Sequence, residues 1–459
     1  MRQRTIKDQI FISGKGIHTG LNTNLTLKPE KEGYGIKFKR TDLNPPVIIE
    51  ASLSNVFDTQ RSTSLKKNGA VVHTVEHILA AITALKIDNI LIELDNCEIP
   101  ILDGSSEKFL RLIRNVGVRK QEIKKEIIDI DESIEFSGEN GEKYLIEPSN
   151  NFSINVIIDY QSKILQKQKA TLENIDDFDK EIAKCRTFCF VHELKMLHKK
   201  GLVKGGSLDN AIVILDKEIE KDELNDICSL LKKEPIHLKE LGVVNGTKLY
   251  YENEPARHKL LDAIGDFALL GKNIKGKISI TKPGHTYNIK FAKKIQRIML
   301  QKSKNKAPNI DLDKEPMYNK EKIKQILPHR DPFLFIDEIR DLGEDFIVGV
   351  KYVHGSEDYF KGHFPGHPVM PGVLQLETMA QVGGILILET VPDPENYLTY
   401  FMKIDNAKFK QKVTPGDTII YHLHLISPIR RGLCHMHGKG FVNDKVVVEA
   451  DLLAQIAKK

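Results

Sequence analysis

A polar stretch, Gln301 to Lys320 (QKSKNKAPNIDLDKEPMYNK), most constrains how this chain can fold. It is lysine-rich at one end, acid-rich at the other, and carries Pro308 and Pro316. Few of its side chains could join a core. Such a composition cannot bury enough apolar surface to offset the entropy of ordering it, so it reads as a solvated connector. A surface loop of one domain would look similar. What separates the two readings is that each flank carries its own set of chemistry-bearing residues, so the chain reads as two enzymes joined here. Its 459 residues exceed what one core usually holds and suit about three domains.

The charge balance argues against nucleic acid as a partner, because 68 basic residues face 63 acidic ones for a net charge of only +5. Five cysteines, none in a C-x-x-C pair, suggest a reduced, cytoplasmic chain. The longest apolar stretch, Gly372 to Leu388, is interrupted by Gln375, Glu377 and Gln381. It is too short and too polar for a transmembrane segment.

In the first half, LNTNLTL and YGIKFKR read as strands. Before them, Ser13-Gly14-Lys15-Gly16 and His18-Thr19-Gly20 make a glycine-rich turn, weak evidence of anything beyond tight backbone geometry. Val75, Ile78, Leu79, Ile82 and Leu85 then recur at helical spacing, and Asp88-Asn89 closes the helix before a strand. His73, Glu76 and His77 open it. Adjacent Glu and His on one turn suit a metal site with a base beside the ligand. The same run matches the H-x-x-E-H pattern of zinc peptidases, in which both histidines bind metal. A capped helix with a polar first turn in water is the plain alternative. A second helix, Arg257 to Asp266, sets His258 and Asp262 four apart on one face, with Asp266 one turn on. That spacing also serves surface ion pairs, and spacing alone does not bring the two helices together.

GKGIHTG, HTVEHILAA, IDNILIELDNCEIPILDGSS, CRTFCF, KGGSLDNAIV, RHKLLDAIGD and PGH occur in this order over residues 1 to about 300. Together they resemble the zinc-dependent UDP-3-O-acyl-N-acetylglucosamine deacetylases of lipid A synthesis. The resemblance implies two α+β domains of βααβ type, residues 1–127 and 128–300, packed face to face around the site. It assigns Zn2+ to His77, His258 and Asp262 and leaves His73 as a helix-start residue. Glu76 is then placed to take a proton from water, and Thr187 to donate to the oxyanion. His285 would be the acid for the leaving amine, held charged by Asp266, while Lys259 adds positive charge near the intermediate or the diphosphate. Phe188 and Gly206 are assigned to substrate binding, the acyl groove being expected around Leu202 to Val213. Two departures from the family pattern stand out: Cys189, where a glycine is common, and Lys217 to Tyr251, which matches little.

After a linker (residues 301–317), the second half centres on YFKGHFPGHPVMPGVLQLETMAQVGGILIL. Pro365, Pro368 and Pro371 with Gly366 and Gly372 force a rigid loop, and Pro371 suits a helix start. Val373, Leu374, Leu376, Met379, Val382, Ile385 and Leu386 cover nearly the whole circumference, which predicts a buried helix. Glu377 within it is expected to be buried with a raised pKa. His363 heads the loop, and the amides near Gly372 could hold a thioester oxygen. A loop histidine and a buried salt bridge are the structural alternatives.

GHFPGHPVMPGVLQLETMAQ, KIDNAKFKQKVTPGD and VVVEADLLAQ resemble the 3-hydroxyacyl-acyl-carrier-protein dehydratases across residues 318–459. This implies a hot-dog fold and a homo-oligomer (a dimer or a trimer of dimers) that sets His363 of one subunit against Glu377 of another. Glutamate at 377 resembles the dehydratase-only branch. His363 would remove the α-proton, Glu377 would orient or protonate the departing hydroxyl, and Tyr400 would gate the acyl tunnel. Arg430, Arg431, Lys408, Lys410 and Lys412 could receive an acidic acyl carrier protein. The expected protein is a bifunctional cytoplasmic enzyme acting on a UDP-linked acyl glucosamine and an acyl carrier substrate. The rivals are a chain with one silent, lipid-binding half and a zinc peptidase using His73 and His77.

Overall fold

Strands of alternating burial build a five-stranded and a six-stranded sheet in the first 300 residues. The computed structural model describes residues 2–218, 241–244, 247–304, 306–430 and 432–459, without the side chains of 303 and 304. Cys228, Arg431 and much of the Lys217–Tyr251 segment lie outside these. The chain divides into two compact units, Met1–Met299 and Leu300–Lys459.

The first sheet of the first unit contains β1 (Ile10–Lys15), β2 (Asn22–Pro29), β3 (Ile36–Arg40), β4 (Val47–Glu50) and β5 (Ile90–Leu94), in the order β1-β2-β5-β3-β4. Helices α1 (Glu76–Ala84) and α2 (Glu107–Val116) flank β5 in sequence. The second sheet contains β6 (Ile134–Ser137), β7 (Lys143–Glu147), β8 (Phe152–Ile158), β9 (Gln168–Leu172) and β10 (Asn273–Thr281), in the order β6-β7-β10-β8-β9, with a short strand Ile127–Asp129 pairing parallel to β10 off this path. The two orders are the same pattern, so the unit is a structural duplication. An insertion between β9 and β10 carries α3 (Val191–Lys199) and a small sheet of Phe188–Phe190, Ile212–Leu215 and Gly242–Val243. Helices α4 (Glu254–Phe267) and α5 (His285–Lys304) flank β10 as α1 and α2 flank β5. One continuous apolar core joins both halves, including Ile78 and Ile82 of α1 with Leu261 and Ile264 of α4. Helices α1 and α4 touch backbone to backbone: a Cβ on Gly265 would lie 2.1 Å from the Glu76 carbonyl oxygen. Only glycine permits that approach.

In the second unit an antiparallel six-stranded sheet packs on one long helix, α6 (Gly372–Leu388). Its strands are β11 (Glu338–Leu342), β12 (Phe346–Tyr352), β13 (Tyr397–Phe409), β14 (Thr418–Leu425), β15 (Leu433–Val442) and β16 (Lys445–Lys458). Their order is β11-β12-β14-β15-β16-β13, the hot-dog arrangement. Small residues admit the helix: a Cβ on Gly383 would meet the Met436 side chain at 2.6 Å. The described residues of the polar stretch at the unit boundary make contacts of their own. Residues up to Lys304 continue α5, and Arg340 donates to the carbonyls of Asp311, Leu312 and Lys314.

Candidate active sites

The start of α1 and the middle of α4 bring His77, His258 and Asp262 together, all buried, with one potential ligand atom of each within 4.8 Å of the others. His258 Nδ1 donates to the Cys185 carbonyl (3.0 Å), which leaves its Nε2 as the lone-pair nitrogen. That nitrogen lies 3.3 Å from Asp262 Oδ1, and His77 Nε2 lies 3.7 Å from the same oxygen. Lys259 holds the other Asp262 oxygen at 2.7 Å, so it touches the group through Asp262. Asp262 Oδ1 is buried without a hydrogen-bond partner. Two imidazole nitrogens around such an oxygen fit a divalent cation held by two histidines and a carboxylate. Burial pushes the Asp262 carboxyl upward, but His258, Lys259 and His285 outweigh this and hold it well below the usual range. Burial, reinforced by His258, pulls His77 down to about 3, the neutral ligand form. His73 stands apart, its Nδ1 on Ser64 Oγ at 2.8 Å, and does not join the group, which removes the H-x-x-E-H reading.

A second cluster backs the first. Glu76, 2% exposed, accepts the Thr63 backbone N–H at 3.0 Å, and burial pushes its carboxyl up to about 8. Thr63 Oγ1 donates to Asp266 Oδ1 at 2.5 Å. Asp266 Oδ2 receives His285 Nδ1 at 2.9 Å and Asn288 Nδ2 at 2.8 Å, and Tyr144 braces Asn288. Burial lowers the His285 pKa, yet the Asp266 charge and hydrogen bond overcome it and raise it to about 9. Its Nε2 points toward Asp262, 3.8 Å from Oδ2. Thr63, Asn288 and Tyr144 carried no signal in the sequence, since a lone threonine or asparagine has none until a fold sets it beside a carboxylate.

Thr187 and Phe188 reach the site because Arg186 is clamped at the start of α4. Its backbone N–H and Nε–H donate to the buried Glu254 at 3.0 and 2.9 Å. The Phe188 ring stands edge-on to His258. An apolar cavity of about 890 Å³ runs past Glu76, His77, Thr187 and Phe188 between Ile101, Leu194, Leu197 and Val213. Gly206 and Val203 lie on its wall, within the expected Leu202–Val213 stretch. Helix α3 supplies a wall the sequence did not announce. The turn Gly14–Gly20 supplies another: Gly205 N–H donates to the Ile17 carbonyl at 3.0 Å, and Ile17 and His18 line the cavity. A polar cleft shares Glu76, His77, Thr187 and Phe188 and continues to Tyr160, Lys259 and His285. The metal-type residues therefore sit where an apolar cavity meets a polar one.

In the second unit, His363 Nδ1 donates to the Val369 carbonyl at 2.8 Å, so Nε2 is its basic nitrogen. Glu377 differs from expectation. Its side chain is 23% exposed, because the Val373–Glu377 face at the head of α6 turns away from the sheet, Val373 being 69% exposed. Gln381 donates to Glu377 Oε1 at 2.9 Å and also to the Phe333 carbonyl, while receiving the Phe335 N–H. His329 Nε2 lies 3.6 Å from the same Glu377 oxygen. Neither was singled out from sequence, where Gln381 was only a polar break in an apolar run. Among the described residues no hydrogen bond or ion pair joins His363 to Glu377. Gly372 opens α6 against Phe409, which a Cβ there would meet at 2.7 Å. Tyr400 is exposed on β13 beside Phe401, Met402 and Ile404, also exposed. Arg430 is exposed, and Lys408 and Lys410 pair with Glu449. No helix among the described residues is long and apolar enough to cross a membrane.

Fold and sites define a hydrolase with a candidate metal centre joined to a hot-dog lyase. The family profile for UDP-3-O-acyl N-acetylglycosamine deacetylase matches residues 3–227 and 229–297, and that for a FabA-like domain matches residues 327–451. A protein of Bacteroides thetaiotaomicron named bifunctional enzyme LpxC/FabZ is 46% identical over 459 residues, covering 100% of this chain and 99% of its own. One of the same name from Porphyromonas gingivalis is 47% identical over 456 residues, covering 99% and 98%. A UDP-3-O-acyl-N-acetylglucosamine deacetylase of Myxococcus xanthus matches 295 residues at 38% identity, 64% of this chain and 86% of its own. The chain belongs to the bifunctional LpxC/FabZ family and is a deacetylase joined to a dehydratase, so the silent-half alternative is not favoured.

Proposed function

We propose that the first unit hydrolyses the N-acetyl group of a UDP-3-O-(3-hydroxyacyl)-N-acetylglucosamine, and that the second dehydrates 3-hydroxyacyl-acyl-carrier-protein to the trans-2-enoyl form. The observation that carries the first assignment is the partnerless Asp262 Oδ1 facing two imidazole nitrogens where the two cavities meet. The apolar cavity suits the acyl chain, with Phe188 and Gly206 on its wall, and the polar cleft suits the sugar nucleotide. His77, His258 and Asp262 would hold zinc, which when bound there would supply an acidified water and a polarised acetamide carbonyl. Glu76 accepts the proton of the attacking water, and Thr187 donates to the oxygen that gains charge. His285, kept protonated by Asp266, gives its Nε2 proton to the departing amine. Lys259 keeps Asp262 ionised and adds positive charge to the cleft.

In the second unit His363 Nε2 removes the α-proton, the amides at Gly372 hold the thioester oxygen, and Glu377 of a second subunit orients and protonates the leaving hydroxyl. The exposed Glu377 face, with the exposed Tyr400, Phe401, Met402 and Ile404 on the terminal strand β13, supports a homo-oligomer, since exposed apolar strand edges seek a partner. Tyr400 then gates the acyl tunnel, and Arg430 with Lys412 and neighbouring lysines receives acyl carrier protein. We assign both reactions to the cytoplasm, where the four described free cysteines stay reduced.

The test treats one preparation with a chelator. Deacetylation should be lost and restored by zinc while dehydration continues. Glu76→Ala should silence only the first reaction and His363→Ala only the second. Zinc retained in His258→Ala, or lost in His73→Ala, would refute the ligand set.

A further inference from the structure

Glu98, a buried carboxylate of the first unit, takes no part in either proposed reaction. It is 1% exposed and accepts four hydrogen bonds. Oε1 receives the His18 backbone N–H at 2.9 Å and the Thr74 hydroxyl at 3.0 Å. Oε2 receives the backbone N–H and the hydroxyl of Thr19 at 2.7 and 2.6 Å. Burying a carboxylate is costly unless its lone pairs are filled in this way. Three of the sequence motifs, GKGIHTG, HTVEHILAA and IDNILIELDNCEIPILDGSS, therefore meet at this one side chain.

The turn Gly14–Gly20 closes tightly over the carboxylate: a Cβ on Gly16 would lie 2.1 Å from Glu98 Oε2, which only glycine permits. On its other side the turn rests on the insertion, where Gly205 N–H donates to the Ile17 carbonyl and Lys204 N–H to the His18 carbonyl at 3.2 Å. Ile17, His18 and Thr74 all line the apolar cavity, whereas Glu98 lines neither cavity. Thr74 has φ +59°, a backbone state that a β-branched residue keeps only when its surroundings hold it there. Its hydroxyl bond to Glu98 is such a hold.

We infer that Glu98 is a positioning residue for acyl-chain recognition, fixing the Gly14–Gly20 turn so that Ile17 and His18 form a wall of the apolar cavity. The inference rests on the proposed placement of the acyl chain in that cavity. Glutamine at this position would keep the length and volume but offer one acceptor oxygen in place of two. Whichever way the amide turns, its NH2 faces the backbone N–H of either His18 or Thr19, and neither can reverse. The hydroxyls of Thr19 and Thr74 can reverse and accept instead. Glu98→Gln therefore loosens the turn and leaves Thr74 held.

Deacetylation by the full chain, supplied with zinc and compared on two UDP-N-acetylglucosamine substrates, tests this. One carries a long 3-hydroxyacyl ester on the 3-oxygen and the other an acetyl ester there. Glu98→Gln should raise KM for the long chain about tenfold. KM for the acetyl ester and kcat on both substrates should stay within about twofold of wild type, with zinc content unchanged. Thr19→Val removes one donor, keeps the carboxylate, and should shift the long-chain KM the same way by a smaller factor. It decides the matter on the same two substrates should Glu98→Gln lose its zinc. Val213→Phe narrows the cavity from the Ile212–Leu215 strand and should also raise KM for the long chain alone. If Val213→Phe is selective but the Glu98 and Thr19 variants slow both substrates alike, or neither, Glu98 is structural only and the inference falls. If Val213→Phe treats both substrates as wild type does, the acyl chain lies elsewhere, and that placement falls together with the inference.

Discussion

Thr63→Val removes one hydroxyl from the deacetylase site, a group that also lies 3.3 Å from His285 Nδ1. Valine matches threonine in shape and keeps the backbone N–H that holds Glu76 at 3.0 Å. It removes only Oγ1, which donates to Asp266 Oδ1 at 2.5 Å in a fully buried setting. A hydrogen bond to a charged group contributes about 1.5–3 kcal/mol. Asp266 would retain His285 and Asn288 as donors, so the pair persists but the carboxylate can rotate away from its position under His285. If that bond is fully felt only when His285 releases its proton, kcat for deacetylation falls roughly 10- to 150-fold, at 1.36 kcal/mol per decade. KM should change little, because Thr63 lines neither cavity. The fused dehydratase, assayed on the same sample, reports whether the chain is intact. Thr63→Ser should recover most of the rate. Deacetylation within twofold of wild type, or a loss that serine does not recover, would show that Thr63 is packing alone and that the bond does not position His285.

Three further outcomes follow from single contacts. Gly265→Ala should cost about 1–3 kcal/mol or more, since its Cβ would strike the Glu76 carbonyl; the thermal transition of the first unit should drop and metal content with it. Gln381→Ala removes the amide that bridges Glu377 to the backbone at Phe333 and Phe335; dehydration should fall roughly 5- to 150-fold, at about 1–3 kcal/mol, with deacetylation unchanged. Co-expressed His363→Ala and Glu377→Ala chains, each inactive as a dehydratase alone, should recover about a quarter of wild-type dehydration if sites form across a two-fold interface, and no recovery would show that each site is built within one chain.

How much of this was legible depends on sequence distance. His258 and Asp262 share a helix face by spacing alone, and Glu76 and His77 share a turn. Within each segment the chemistry could be read before any fold was known. Joining the segments could not: His258 Nδ1 is fixed by a carbonyl 73 residues away, and Thr63 meets Asp266 across 203. Periodicity reports local geometry, and long-range contacts leave no period behind. The turn Gly14–Gly20 was underestimated for the same reason, because its partner, the Gly205 turn, enters from an insertion. Glu377 was misjudged differently. A helix apolar around its circumference reads as buried everywhere, yet Val373 and Glu377 lie on a face that this chain does not cover. A carboxylate left open on that face costs little, because water reaches it in one chain. On the proposed reading the dehydratase site is completed by assembly, whereas the deacetylase candidates Glu76 and His285 are already buried by the folding of one chain.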